Sequence, residues 1–203
     1  MSTQPSEQQQ QQQQHTQIIT LPLLHDPELP PGGPPKRPGG LPTTIYWGQQ
    51  VEHPNKMTLF VNSDSAEIDA SLSTALQTAI DAPLLDRVLN VHLEPPPPPL
   101  LACAPVIESA IFTLKRDVSR ATWCQQQAAV DRLLDVAEGC GGHSAGFVVG
   151  GDDVFVVLVA WVSVEAHEKW ARWEMGRENS VLKRYRDLTE KVSSVHVAMR
   201  GLW

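Results

Sequence analysis

The sequence predicts an α+β protein built from two tandem β-α-β-β-α-β units. These are expected to pack sheet to sheet as one barrel within the chain, with the first unit lacking its first helix. Three observations lead there. Short strings recur in the same order in both halves. Runs of β-branched and aromatic residues alternate with segments of helical spacing. A proline run at residues 95–99 divides the two sets.

Taken in order, residues 1–14 end in glutamines and have too little apolar area to offset chain entropy, so they read as a disordered tail. Residues 15–24 ("HTQIITLPLL") read as a strand. The stretch 25–42 is dense in Pro and Gly and excludes a helix. Residues 43–52 and 56–62 are two β-rich runs around "HPN", a hairpin signal. Residues 64–81 combine an Asp/Ser start with helical spacing at Ile68, Leu72, Ala75 and Ala79. Residues 87–94 ("RVLNVHLE") form the last strand of the first unit, and residues 95–99 a stiff polyproline II spacer.

The second half repeats the pattern. Residues 106–115 read as a strand. Residues 117–139 read as a helix whose apolar stripe is Trp123, Val130, Leu133, Leu134 and Ala137. Two strands follow around a Gly-Asp turn, then a helix from Ser163 that breaks at Gly176 and resumes to Lys191, then a strand at 193–200. The expected organisation is a tail at 1–14, a first unit at 15–94, a linker at 95–105 and a second unit at 106–201.

The recurring strings align these units. Ser65-Ala66-Glu67 matches Ser163-Val164-Glu165 at a helix start, where serine caps a backbone N–H and glutamate meets the positive helix end. Val91-His92-Leu93 matches Val195-His196-Val197, residues 18–21 match 111–114, and Gly48 matches Gly150. Only 27 residues separate Leu21 from Gly48, against 36 from Leu114 to Gly150, so the helix between the first two strands is missing from the first unit.

The totals narrow the partners. The chain has 203 residues and a formal net charge of −7, which argues against nucleic acid, since phosphate binding needs a basic face. The most apolar run, 154–162, is far shorter than the roughly 20 residues of a membrane span. Cys103, Cys124 and Cys140 are an odd, sparse set and read as reduced thiols, and no secretory signal is evident, so a cytoplasmic location is expected.

The β-α-β-β-α-β order is the ferredoxin-like arrangement. With "IYWGQQVEHP" (45–54), "AWVSVEAHEKW" (160–170) and the paired "VH" strands at His92 and His196, the chain resembles the dimeric α+β barrel proteins. Within them it is similar to two-repeat fungal members related to the antibiotic-monooxygenase, EthD and stress-responsive barrel families. The resemblance covers residues 15–201. It implies a small-molecule-binding barrel of one of three kinds. The first is a cofactor-free cyclase, dehydratase or monooxygenase acting on an apolar or aromatic, polyketide-like substrate. The second is a non-catalytic binding or stress-associated scaffold, and the third a haem-binding protein. No cofactor is expected for the first, and the barrel is expected as a monomer or weak homodimer.

Strand alternation supplies the candidate residues. The apolar parity Leu89, Val91, Leu93 and Val195, Val197, Met199 suits the side beneath the helices, which turns His92 and His196 into the barrel interior. Two equivalent imidazoles there could act as general acid and base, or be hydrogen-bonded filler. His167, on a first helical turn, and Tyr46 and Trp161, on strands, are candidate pocket residues, each with core packing as the plainer alternative. Cys140-Gly-Gly-His143 lacks partners for a metal site and reads as a glycine-rich turn.

Overall fold

A computed structural model describes residues 15–22, 44–63, 87–151 and 153–202. Eight strands form one antiparallel sheet: β1 (His15–Pro22), β2 (Thr44–Gln50), β3 (Lys56–Ser63), β4 (Arg87–Val91), β5 (Val106–Leu114), β6 (Cys140–Phe147), β7 (Val154–Trp161) and β8 (Thr189–Leu202). Their order is β4-β1-β3-β2-β8-β5-β7-β6, so the order within the first four recurs within the second four. Two bridges, Val91 with Val148 and Glu94 with Ala145, draw the outer strands together, and the sheet becomes a nearly closed barrel.

Two separate sheets stacked face to face were expected. Instead β2 pairs with β8 edge to edge, with Gln49 opposite Ala198 and Gln50 opposite Val197. Edge strands carry unpaired N–H and C=O groups, and joining the edges satisfies them while both inner faces still enclose one core. That core holds Ile18, Phe60, Val91, Ile107, Leu158 and Val197. The proline stretch is also not a plain extended spacer. Pro98 and Pro99 open helix α1 (Pro98–Cys103), where a missing N–H costs nothing, and Leu101 drops into the barrel core.

Three further helices cover the outer face of β5, β7 and β8. Helix α2 (Arg120–Leu134) is capped by Ser119, whose hydroxyl accepts from Thr122 N at 3.1 Å. It buries Trp123, which packs between Phe112, Phe155 and Tyr185. Helix α3 (Val164–Gly176) is capped by Ser163 and α4 (Val181–Asp187) by Ser180. Buried Glu174 holds the break between α3 and α4, accepting from Arg177 and from Val181 N, each at 2.8 Å.

Cys140 to His143 is not a turn but the bulged start of β6, opposite Trp161 and Val159. On the outer face of the first strands Ile19, Ile45, Leu59 and Val61 are fully buried in a cluster of their own. β3 is buried along almost its whole length, as a strand with both faces covered must be. The expected tail, the Pro/Gly-rich stretch 25–42 and the helix at 64–81 lie outside the described residues.

Candidate functional site

Both faces of the sheet are apolar, so alternation alone cannot say which face is inner. In the structure Val195, Val197 and Met199 turn into the barrel core, as do Leu89, Val91 and Leu93. His196 therefore points outward, beneath α3, and His92 is also on the outside; the expected placement of both in the interior is reversed. On α3, Ser163 Oγ accepts from Ala166 N at 3.2 Å and fixes the first turn. That turn aims His167 down at the sheet.

The two rings meet. His167 Nδ1 and His196 Nε2 are 2.7 Å apart. On the far side of His196, its Nδ1 bonds Glu52 Oε1, and its backbone N–H donates to Glu52 Oε2 at 2.8 Å. Glu52 belongs to the turn between β2 and β3, which is pinned to β8 by Val51 N donating to His196 O at 2.8 Å. On the far side of His167, its Nε2 lies 3.3 Å from Glu108 Oε2. Glu108, on β5, also accepts from Trp161 Nε1 at 3.2 Å and from Ser194 Oγ at 3.1 Å. The result is a continuous line, Glu52–His196–His167–Glu108. Its Glu52 end is 37% exposed and its Glu108 end 12%.

The electrostatics follow from this gradient. Burial is the largest influence on His167 and lowers its basicity; neighbouring His196 adds to this and Glu108 opposes it. For Glu52, burial pushes the acid's pKa up. The hydrogen bonds from the His196 side chain and backbone outweigh it and hold the carboxyl below its usual range.

The Glu108 end opens on a cavity of about 260 Å³ between β5, β7, β8 and the three outer helices. Phe112, Val157, Leu134 and Trp170 make its walls apolar, while Glu108, His167 and Ser194 form a polar corner. An apolar pocket with a few converging polar groups is the usual form of a small-molecule site.

Of the sequence candidates, the structure brings His196, His167 and Trp161 together; the Trp161 and His167 ring centres are 5.1 Å apart. Tyr46 packs instead against the barrel core. His92 stands apart, 6.0 Å from the ring of His15 and 3.5 Å from Glu94. Nor does it match His196 in position. Across the two seams Val51 N donates to His196 O and Val149 N to Asn90 O, so the station of His196 is held in the first half by Asn90. Glu108, flanked by Val159 and His196, then corresponds to Gln17, flanked by Val61 and Asn90, and the expected match of residues 18–21 with 111–114 is shifted by two. Glu52, Glu108 and Ser194 were not singled out by sequence. A signal existed for Glu108, a lone carboxylate in the apolar strand "VIESAIFTL".

Among the described residues no group of three or more His, Cys, Asp or Glu converges as a metal ion requires. A haem held through this site does not fit either, because both ring nitrogens of His167 and of His196 face side-chain partners.

No family model matches the chain, and no curated protein matches it in sequence. Solved structures do match. A protein provisionally classed as a monooxygenase from Lactobacillus acidophilus superposes with TM-score 0.57 at 12% identity, covering 94% of this chain and 95% of that one. An anthrone oxidase-like protein gives 0.56 at 11%, covering 93% and 92%. A mutant chlorite dismutase from Candidatus Nitrospira defluvii gives 0.58 at 8%, covering 92% and 91%. At these identities the likeness is one of fold alone, that of a ferredoxin-like α+β barrel.

Proposed function

We propose that this chain is a small-molecule-binding barrel enzyme that takes an apolar or aromatic ligand into the sheet–helix cavity and moves a proton at its polar corner. The observation that carries this is the pair His167 and Glu108, both on the cavity wall, with His167 backed by a second imidazole. His167 and Glu108 are the catalytic residues in this reading, and His196 positions His167. Trp161 holds Glu108 through its indole N–H, and Tyr46 and His92 have no role in it. An imidazole of lowered basicity is unprotonated at neutral pH and can accept a proton from a ligand O–H or acidic C–H. Among the matching structures are a protein provisionally classed as a monooxygenase and an anthrone oxidase-like protein, names that suit an oxygenase acting on an aromatic substrate; that the reaction needs no cofactor is part of the proposal.

The repeated strand order supports reading the chain as two tandem ferredoxin-like units, residues 15–94 and 106–201, joined by a segment that includes α1. With the barrel closed inside one chain, a monomer in the cytoplasm suffices and neither nucleic acid nor a membrane is a partner.

The test is ligand extraction from the purified protein with mass spectrometry, followed by binding and turnover of whatever is recovered. An apolar compound bearing an ionisable group should be found. Binding should survive in His167→Gln while turnover falls by about 10²-fold or more, as for loss of a general base. Binding without turnover in the native protein would leave a scaffold that merely holds its ligand. A compound that binds equally well to a variant with the cavity blocked, Ala110→Trp, would refute the site.

A further inference from the structure

We infer that Glu52, supplied by the first half of the chain, is a positioning residue that sets which nitrogen of His167 carries its proton, acting through His196. This rests on the cavity being the ligand site, but its test uses no ligand.

Hydrogen-bond direction carries the inference. A carboxylate only accepts, and a backbone N–H only donates. Glu52 accepts from His196 N through Oε2 and faces His196 Nδ1 through Oε1. His196 Nδ1 must therefore bear a proton. In the neutral ring, Nε2 is then the acceptor, and its partner 2.7 Å away, His167 Nδ1, must be the donor. That leaves the lone pair of neutral His167 on Nε2, at the cavity end, beside Glu108. Through these bonds a carboxylate near the surface makes His167 a base at the buried end. Other charges near the line are Glu108 itself, on β5, and Glu168, on α3. Glu108 is an acceptor too and, 3.3 Å from His167 Nε2, favours a proton there; but it is already held by Trp161 Nε1 and Ser194 Oγ, whereas Glu52 grips His196 through two hydrogen bonds, so the Glu52 end sets the direction. Glu168 is turned to Arg172.

The same line gives the proton a route out. The ligand's O–H or C–H bond breaks, its electron pair stays on the ligand, and the proton joins His167 Nε2. His167 then releases its Nδ1 proton to His196 Nε2, and His196 its Nδ1 proton to Glu52, which passes it to water.

Glu52→Gln makes the direction testable. The glutamine oxygen must accept the His196 backbone N–H, because the alternative sets an NH₂ group against that N–H. The NH₂ then faces His196 Nδ1, which must become an acceptor. His196 moves its proton to Nε2, His167 Nδ1 becomes an acceptor in turn, and His167 carries its proton on Nε2. Two-bond ¹H–¹⁵N correlation spectra of the ¹⁵N-labelled full chain, recorded above the imidazole titration, read each tautomer directly. The native protein should show both rings protonated on Nδ1, Glu52→Gln both on Nε2, and Glu52→Asp the native pattern again. Native rings protonated on Nε2, or a His167 tautomer unchanged in Glu52→Gln, would overturn the inference; the native spectrum alone decides should the glutamine variant not fold. Native tautomers as stated, with no ligand ever recovered from the cavity, would instead sink the proposed function and leave the proton line standing.

Discussion

Glu108 and Gln17 occupy the same station in the two halves, and the residues around them differ. Glu108 has Val159 on one side and His196 on the other; Gln17 has Val61 and Asn90. Two residues further along the neighbouring strand the second half has Trp161 and the first has Ser63. The apolar station is the same in both, Val159 and Val61, and all the titrating ones are confined to the second. Packing is served by many side chains at once, so either half keeps its sheet buried with different polar neighbours. Proton transfer needs particular groups at hydrogen-bond distance, and one replaced ring ends it. The first half nevertheless contributes to the second: its β2–β3 turn reaches across the β2–β8 seam and places Glu52 on His196.

The strongest way to break this contrast is to give the second half the first half's residue. Trp161→Ser removes a buried indole that packs in the cluster beneath the helices and the N–H that holds Glu108. A loss of about 3–5 kcal/mol is expected, as for large-to-small changes at buried aromatic sites. In a protein of this size that lowers the melting temperature by roughly 10 °C. Chemical denaturation checks it, and a loss below about 1 kcal/mol would mean that Trp161 serves the polar corner and not the core.

Sequence made the fold largely legible because both signals it depends on are local. β-Branched and aromatic runs marked the described strands, and Ser163 and the break at Gly176 marked helix ends, although the last helix stops at Asp187 and β8 begins at Thr189, each four residues before the expected position. What could not be read was long-range. Parity told that Val195 and His196 face opposite ways, but in a sheet with two apolar faces it could not tell which way was inward. The pairing of β2 with β8 depends on how the halves meet, and with it the reach of Glu52 to a residue 144 positions away. The repeated "VH" at His92 and His196 was a match of strings, and strand register separates them: Asn90, not His92, stands where His196 does.

The two seams that close the barrel offer a sharper comparison. Gly48 on β2 and Gly146 on β6 are each pressed against the neighbouring strand, where a Cβ would overlap the carbonyl oxygen of Ala198 and of His92 respectively. Backbone cannot step aside as a side chain can, so alanine at either position forces strands apart, at about 1–3 kcal/mol. The costs should differ. The β2–β8 seam is a ladder bonded further along β8, while the β4–β6 seam rests on two isolated bridges and can open locally. Gly48→Ala should be the more destabilising by denaturant titration. Hydrogen exchange should show Gly146→Ala exposing the amides of Ala145 and Val149, which bond across that seam, without changing those of β8. Equal and global loosening in both variants would show that the two halves close the barrel in the same way.

The smallest expected effect is electrostatic, and it belongs to the second half's site alone. Glu52 has a folded-state pKa below its unfolded value, so its contribution is present above the ordinary carboxylate range and is lost as pH falls through the depressed value. His167, also lowered, adds a second window. Below the ordinary imidazole value of about 6.5 the unfolded chain binds a proton that the folded protein refuses, so stability declines as pH falls from there. Both groups make the protein weaker in acid. In Glu52→Gln the first contribution is gone and the second grows, because the Glu52 charge no longer helps His167 hold a proton. Since Glu52 is more than a third exposed, solvent screening limits the difference at pH 7 to about 0.2–1 kcal/mol. The native protein should be the more stable at pH 7, and the two should converge below the carboxylate range. Asn90→Ala, at the matching station of the first half, removes a group with no titrating proton, so its cost should not vary with pH. Melting curves of the three proteins at several pH values test this, and a constant offset between the native protein and Glu52→Gln would show that the carboxylate carries no charge-dependent bond to His196.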